Sequence, residues 1–317
     1  MVGPYIPFPI NVTLSSPLFQ LSPIASHNGS GWAPSCTTSD CLSASAWSNG
    51  AQNSTLELLF WGHDIAFDGN VRGDMQVQVT LDGNVVNWDP SGDVLFSIHG
   101  VDNLVQHMLS LRVANTAANA HLTINQVRIN GSAFTDMIIP SVRWILPSND
   151  STFSYNGFVQ HMSSPGLAST TTYISTSVGD KMSAKFNASA FVVYGPCGPS
   201  GGLIRVSTYT TQAIVNISTP FQADDCLLFQ SQGMPSVSWH QLEIENMDGR
   251  QLGINRIEFF RTTTFSESEG RNATPWITVS SVVVAILVMV GIIIIYALLA
   301  RSEETRTKIR KIFKLPR

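Results

Sequence analysis

A stretch of 24 residues without a charge, 277–300, runs directly into a tail dense in arginine and lysine, and it constrains this chain more than any other feature. At about 1.5 Å per residue it makes a helix of roughly 36 Å, enough to cross a hydrocarbon core of about 30 Å with some tilt. Trp276 and Tyr296 stand near its two ends, where aromatic side chains favour the membrane interface. Residues 276–300 are therefore expected to form one transmembrane α-helix, with the lipid bilayer as a partner. The tail, 301–317, has seven basic residues against Glu303 and Glu304, a formal +5, which places it in the cytoplasm by the positive-inside rule. Everything upstream is then extracellular or lumenal. The whole chain carries −4, so removing the tail's +5 leaves −9. An acidic ectodomain of this kind has no nucleic-acid footprint.

The tail also places Ile309, Ile312 and Phe313 on one helical face, with lysine and arginine elsewhere. That pattern suits an anionic leaflet at about 1 kcal/mol per basic residue, and it equally suits a plain stop-transfer anchor. Residues 1–10 have neither a basic n-region nor a continuous apolar stretch. The expectation is a leader upstream of Met1; the alternative is a span that serves as its own insertion signal.

Two further signals agree with an oxidising, glycosylating compartment. Eight Asn-x-Ser/Thr acceptors, at Asn11, Asn28, Asn53, Asn130, Asn149, Asn187, Asn216 and Asn272, all precede the span. Four cysteines fall into two local pairs, Cys36 with Cys41 and Cys197 with Cys226, and are expected to form disulfides, although four cysteines permit three pairings.

The rest of the chain repeats itself. In the first half Leu95-Phe96, Gly100, His107, Leu109-x-Leu111 and Leu122-x-Ile124-Asn125-x-Val127 follow in order. In the second half Leu228-Phe229, Gly233, His240, Leu242-x-Ile244 and Leu252-x-Ile254-Asn255-x-Ile257 do the same, with identical gaps from Leu-Phe to Gly to His. Upstream, Phe60-x-Gly62-x-x-Ile65-x-x-x-Gly69 aligns with Phe186-x-Ala188-x-x-Phe191-x-x-x-Gly195. Segments 55–60, 75–81, 107–113, 121–129 and 203–209 alternate apolar with polar at period two, the pattern of strands with one buried face. Asp68-Gly69, Asp82-Gly83, Asn130-Gly131, Asn156-Gly157 and Asp248-Gly249 read as turns between them. The fold class expected is all-β: two tandem jelly-roll or β-sandwich modules, one transmembrane helix and a short basic tail. The divisions are a lead at 1–9, module 1 at 10–134, a linker (135–147) with module 2 at 135–264, a juxtamembrane stalk at 265–275, the span and the tail.

The order Phe-x-Gly-x-x-Ile, an alternating strand ending in Val79-Thr80-Leu81-Asp82-Gly83, then Leu-Phe, Gly, His and a final Leu-x-Ile-Asn-x-Val strand resembles the galactose-binding-like jelly-roll modules of fungal single-pass membrane proteins. The resemblance covers roughly residues 10–264 as two copies and implies an extracellular recognition or spacer module. The fold hosts many roles, so the resemblance implies no single ligand. The second copy departs from the pattern, with Thr208-Tyr209-Thr210 in place of the Leu-Asp-Gly turn and an added cysteine pair.

Glycan or cell-wall polymer binding needs aromatic faces beside amides and carboxylates. Trp32, Trp47, Trp88, Tyr155 and Phe158 lie in loop-like contexts, with Trp32 and Trp88 the leading candidates, whereas Trp61, Trp144 and Trp239 read as core. The aspartates of the first module match no metal-loop spacing, and His107 and His240 have no ligand partner at zinc spacing, so neither a metal nor a cofactor is expected. Arg72-Gly73-Asp74 falls where a hairpin turn is needed and reads as that turn. No nucleophile elbow, His-Glu-x-x-His or phosphate-binding glycine loop is present, so no catalytic residue is assigned. The chain reads as a non-catalytic glycosylated surface protein that recognises glycan or a partner protein. A carbohydrate-active ectoenzyme and a ligand-free spacer are the alternatives.

Overall fold

The computed structural model describes residues 8–25, 31–102, 105–130, 141–162, 171–209, 211–235, 238–262 and 289. Apart from Met289, the predicted span lies outside the described residues, as do the tail, the stalk, residues 1–7, Asn28 and Asn272. Among the described residues no helix is long and apolar enough to cross a membrane.

The described chain is all-β and antiparallel. The first half supplies β1 (Ile10–Val12), β2 (Phe19–Ser22), β3 (Ala33–Pro34), the one-turn α1 (Ser39–Leu42), β4 (Trp47–Asn49), β5 (Thr55–Phe60), β6 (Ile65–Arg72), β7 (Met75–Leu81), β8 (Asn84–Val86), β9 (Val94–Ile98), β10 (His107–Thr116) and β11 (His121–Ile129). These form one sheet ordered β3-β4-β11-β6-β9, with β1 also on β11, and a second ordered β2-β5-β10-β7-β8. The second half supplies β12 (Ser141–Pro147), β13 (Phe153–Asn156), β14 (Val159–Met162), β15 (Thr171–Ser175), β16 (Lys181–Phe186), β17 (Ala190–Cys197), β18 (Leu203–Ser207), β19 (Gln212–Asn216), β20 (Ala223–Gln230), β21 (His240–Asn246), β22 (Leu252–Ile254) and β23 (Arg256–Thr262). Their sheets are β12-β23-β17-β20, β13-β16-β21-β18-β19 and β14-β15-β22. Among the described residues no sheet draws strands from both halves.

Period-two patterning places the core. Leu56, Leu58 and Phe60 of β5 and His107, Leu109, Leu111 and Val113 of β10 point inward, and the residues between them are half-buried or exposed. Each leucine so buried contributes about 1.5–3 kcal/mol.

The sequence repeat is also a structural one. His107 pairs in register with Phe60 and His240 with Phe186. Their ring centroids are 5.5 and 5.6 Å apart. Each histidine's Nε2 meets a carbonyl five residues upstream, at Asp102 (2.5 Å) and Pro235 (2.8 Å). Gly69 and Gly195 are equivalent for a steric reason: a Cβ at either would overlap a backbone oxygen of the neighbouring strand, Thr123 or Gly253, and crowd Leu95 or Leu228. The repeated asparagine marks the same irregularity twice, a bulge at Asn125 within β11 and the break at Asn255 between β22 and β23.

Two expectations need correction. Residues 141–147 are not linker: they form β12, which pairs with β23 along its whole length. Asp68-Gly69 is not a turn: both lie in β6, where Asp68 pairs with Arg128 at 2.8 Å and Gly69 lets β11 approach. The two modules also pack against each other. Phe8 stacks on Phe260 at 4.9 Å, Trp47 meets Phe221 edge-on at 5.7 Å, and Ser16 Oγ donates to the Leu227 carbonyl at 2.5 Å. Buried side chains of both halves join in one apolar core, and the two halves make one compact unit.

Candidate functional site

Among the described residues, two sizeable grooves lie between the halves. The first has a volume of about 430 Å³. Module 1 contributes Pro17, Leu18 and Gln20 from β2 and the turn before it, Leu59 and Trp61 at the end of β5, and Gln106 ahead of β10. Module 2 contributes Val206 and Thr208, the whole of β19, and the end of β20 with the loop after it, including Gln230, Gln232 and Met234. A clamp fixes this geometry: Trp61 N–H donates to Gln230 Oε1 (3.1 Å), and Gln230 Nε2 returns a bond to the Trp61 carbonyl (2.7 Å). Gln230 is buried, and one side-chain amide thus satisfies both polar groups of the residue whose indole lines the groove. Ser231 Oγ accepts from Phe191 N–H at 2.8 Å and holds the far wall. At the mouth, the hydroxyls of Thr208 and Thr211 bond each other at 2.8 Å.

The lining is chemically uniform. It offers five glutamines, an asparagine, two threonines and a serine around apolar and aromatic surface, with no Asp, Glu, Lys, Arg or His among the described lining residues. Amides and hydroxyls can both donate and accept, so they pair with hydroxyls in any orientation.

The second groove, about 490 Å³, is the electrostatic opposite. Arg256 bonds both oxygens of Asp225 (2.6 Å each) and Glu258 Oε1 (3.1 Å), and its guanidinium stacks 3.8 Å from the Tyr194 ring centroid. Arg143 reaches Glu258 Oε2 at 2.6 Å. Burial, reinforced by the Glu258 charge, pushes the Tyr194 phenol up to about 12. Both carboxylates are engaged by guanidinium, the arrangement of a structural ion network.

The structure redistributes the aromatic candidates. Trp32 is fully buried, and its Nε1 donates to the Thr55 carbonyl at 2.8 Å. It is core and offers no stacking face. Trp47 is likewise buried, in β4. Trp88 is half-buried, its ring tilted against Phe96 at 5.9 Å, and lines neither groove. Tyr155 stacks on Tyr173 at 4.0 Å and gives its hydroxyl to the Ser148 carbonyl; Phe158 packs beside it. Trp239, expected in the core, is 74% exposed, and Trp61, also expected there, lines the first groove. Context misled here because a Gly- and Ser-rich neighbourhood marks irregular backbone, and irregular backbone can still be covered.

Among the sequons, Asn11, Asn53, Asn149 and Asn216 are exposed and Asn187 is half-buried. Asn130 is 2% exposed at φ +56°, with Oδ1 accepting from His63 N–H (2.7 Å) and Nδ2 donating to the Phe8 carbonyl (3.3 Å). Its amide nitrogen is committed to the fold, unlike those of the exposed sequons. Both cysteine pairs are disulfides, with Cα atoms 6.2 Å apart for Cys36–Cys41 and 5.9 Å for Cys197–Cys226. Among the described residues no cluster of three metal-ligating side chains exists.

No family profile and no curated protein matches the chain. Among solved structures, a family two carbohydrate esterase from Cellvibrio japonicus aligns at 12% identity and a TM-score of 0.28, over 39% of this chain and 35% of that one. A Paenibacillus xanthan lyase aligns at 10% and 0.30, over 78% and 27%. A truncated protein with CBM32 and alginate lyase domains aligns at 8% and 0.20, over 80% and 93%. The chain thus spans about a third or less of the first two, and likenesses this distant carry no functional inference.

Proposed function

We propose that this chain is a non-catalytic surface glycoprotein, anchored by the span at 276–300, whose first inter-module groove recognises a neutral glycan or cell-wall polymer. The observation that supports it is the lining of that groove: Trp61, amides and hydroxyls, with no charged residue among the described ones. Sugar rings present hydroxyls around apolar faces, the surface such a lining complements. An acidic polysaccharide would have to shed its hydration against a wall without a cation. The jelly-roll, galactose-binding-like assignment and the fungal membrane-protein resemblance belong to the same reading. So do the extracellular or lumenal ectodomain, the cytoplasmic C-terminus and an anionic-lipid contact for the basic tail.

The test is a panel of neutral and acidic oligosaccharides presented to the detergent-solubilised full chain. Neutral glycans are expected to bind, and Trp61→Ala is expected to weaken them roughly tenfold, about 1.4 kcal/mol. Binding that survives Trp61→Ala, or that prefers acidic chains, overturns the reading. Absence of any binding leaves the spacer role, and cleavage of a bound glycan revives the ectoenzyme. Carbonate extraction and protease protection of intact cells test the anchor separately.

A further inference from the structure

The outer wall of the first groove is also a sheet edge. β19 bonds to β18 on one side only and ends its sheet, with Gln212, Ile214 and Asn216 exposed and Ile214 59% accessible. A free edge bearing an exposed isoleucine is a template for unwanted strand pairing, and natural proteins cover or charge such edges. β19 has no charged residue.

Its last residue, Asn216, opens the sequon Asn216-Ile217-Ser218 and lines the groove. Asn216 Oδ1 accepts from Ser218 N–H at 3.0 Å in an Asx turn, and among the described residues nothing engages its Nδ2. Asn130 is the internal contrast, a sequon whose Nδ2 is consumed by the fold. From this placement we infer that Asn216 bears an N-linked glycan that lies along β19 and occupies the first groove, so that the groove's resident ligand is the protein's own glycan.

The chemistry is consistent on both counts. The core of an N-linked glycan is built of neutral sugars, and the lining is neutral. A tethered occupant needs little intrinsic affinity, because a short flexible tether supplies an effective concentration in the millimolar range. The glycan covers the edge strand and competes with external glycan at the same surface. This inference rests on the groove's proposed chemistry and on the ectodomain passing through a glycosylating compartment.

The test uses the full chain made in eukaryotic cells. Glycopeptide mass spectrometry should find Asn216 modified and Asn130 unmodified. Enzymatic removal of N-glycans, or Ser218→Ala, which abolishes the acceptor without altering Asn216, should raise quenching of Trp61 by acrylamide, read as the difference from a Trp61→Phe chain. Binding of external neutral oligosaccharide should then strengthen by roughly two- to tenfold, the advantage a tether confers when effective concentration and affinity are comparable. An unmodified Asn216, or a modified one whose removal leaves Trp61 quenching unchanged, overturns the inference. Stripped chains that dimerise with no change in Trp61 quenching also overturn it, since the glycan would then guard only the edge. If quenching rises but no external glycan binds, the resident glycan stands and the recognition reading of the preceding subsection fails alone.

Discussion

The two halves share a skeleton, and one of the places where they differ is a hairpin. In the first half the β7–β8 turn is Asp82-Gly83, with φ of +52° and +81°, the two-residue turn that matches strand twist. Asp82 there bonds His107 Nδ1 at 2.7 Å and Met108 N–H at 2.9 Å, tying the turn to the next strand. In the second half the corresponding β18–β19 connection runs through Thr208 and Thr211, and Tyr209 is 90% exposed. That hairpin is not stitched to His240; it lines the first groove instead. The repeated core contacts are kept in both halves, and the connection that lines the inter-module groove is the one that differs here.

The comparison can be broken in several ways, and the disulfides give the largest effect. Cys197–Cys226 joins β17 to β20 across 29 residues, whereas Cys36–Cys41 closes only 5. Loop entropy predicts a loss of about 3.5 kcal/mol for the Cys197→Ser, Cys226→Ser pair and about 2 kcal/mol for the Cys36→Ser, Cys41→Ser pair. Denaturant midpoints at constant m-value measure both, and equal losses would show that the second module does not depend specially on its cross-link. Next, Gly69→Ala and Gly195→Ala should each cost about 3 kcal/mol, because the added methyl meets a backbone oxygen rather than a flexible side chain. A large inequality between them would break the structural equivalence of the halves.

Asn130→Gln should cost about 2 kcal/mol, since two buried hydrogen bonds and a left-handed backbone position are lost together. Electrophoretic mobility of the secreted chain should not change, as no glycan is removed. A mobility shift would mean that Asn130 is modified before its half folds.

The smallest effect is a pH dependence at the Asp82 turn, which has no counterpart in the β18–β19 hairpin. Desolvation raises the Asp82 carboxyl, but the His107 and Met108 hydrogen bonds and the His107 charge outweigh it and leave the group below its ordinary value of 3.8. A depressed folded value means that protonation favours the unfolded chain. The contribution is full above the unfolded value and is lost as the pH falls through the lower folded one. With Asp82 partly exposed, solvent screening holds this below about 1 kcal/mol. Asp82→Asn should therefore flatten the acid limb of the stability curve below about pH 4 by lowering neutral stability by this amount, about 1 kcal/mol or less, while leaving stability in acid nearly unchanged. An unaltered acid limb would show that the turn is held by backbone geometry alone.

Much of this was legible in the residues. Period-two alternation marked the strands at 55–60, 75–81 and 121–129 because a half-buried strand must show one face to water and one to the core. Spacing between Leu-Phe, Gly and His revealed the duplication, and both disulfides joined cysteines close in sequence. Trp32 and Trp61 exchanged roles for the opposite reason. Whether an indole is covered depends on which distant segment lies over it, and for Trp61 that segment includes Gln230, 169 residues away.

Sequence by itself determined the local quantities: strand periodicity, turn chemistry, the repeat, the cysteine pairs and the expectation of a membrane span. Each follows from the solvation or backbone preference of neighbouring residues. Only the tertiary structure decided that the two copies pack into one body, that 141–147 is a strand, that Asn130 is sealed while Asn216 is open, and that an uncharged groove runs between the halves. These depend on surfaces brought together across more than a hundred residues, and no local preference encodes which two faces will meet.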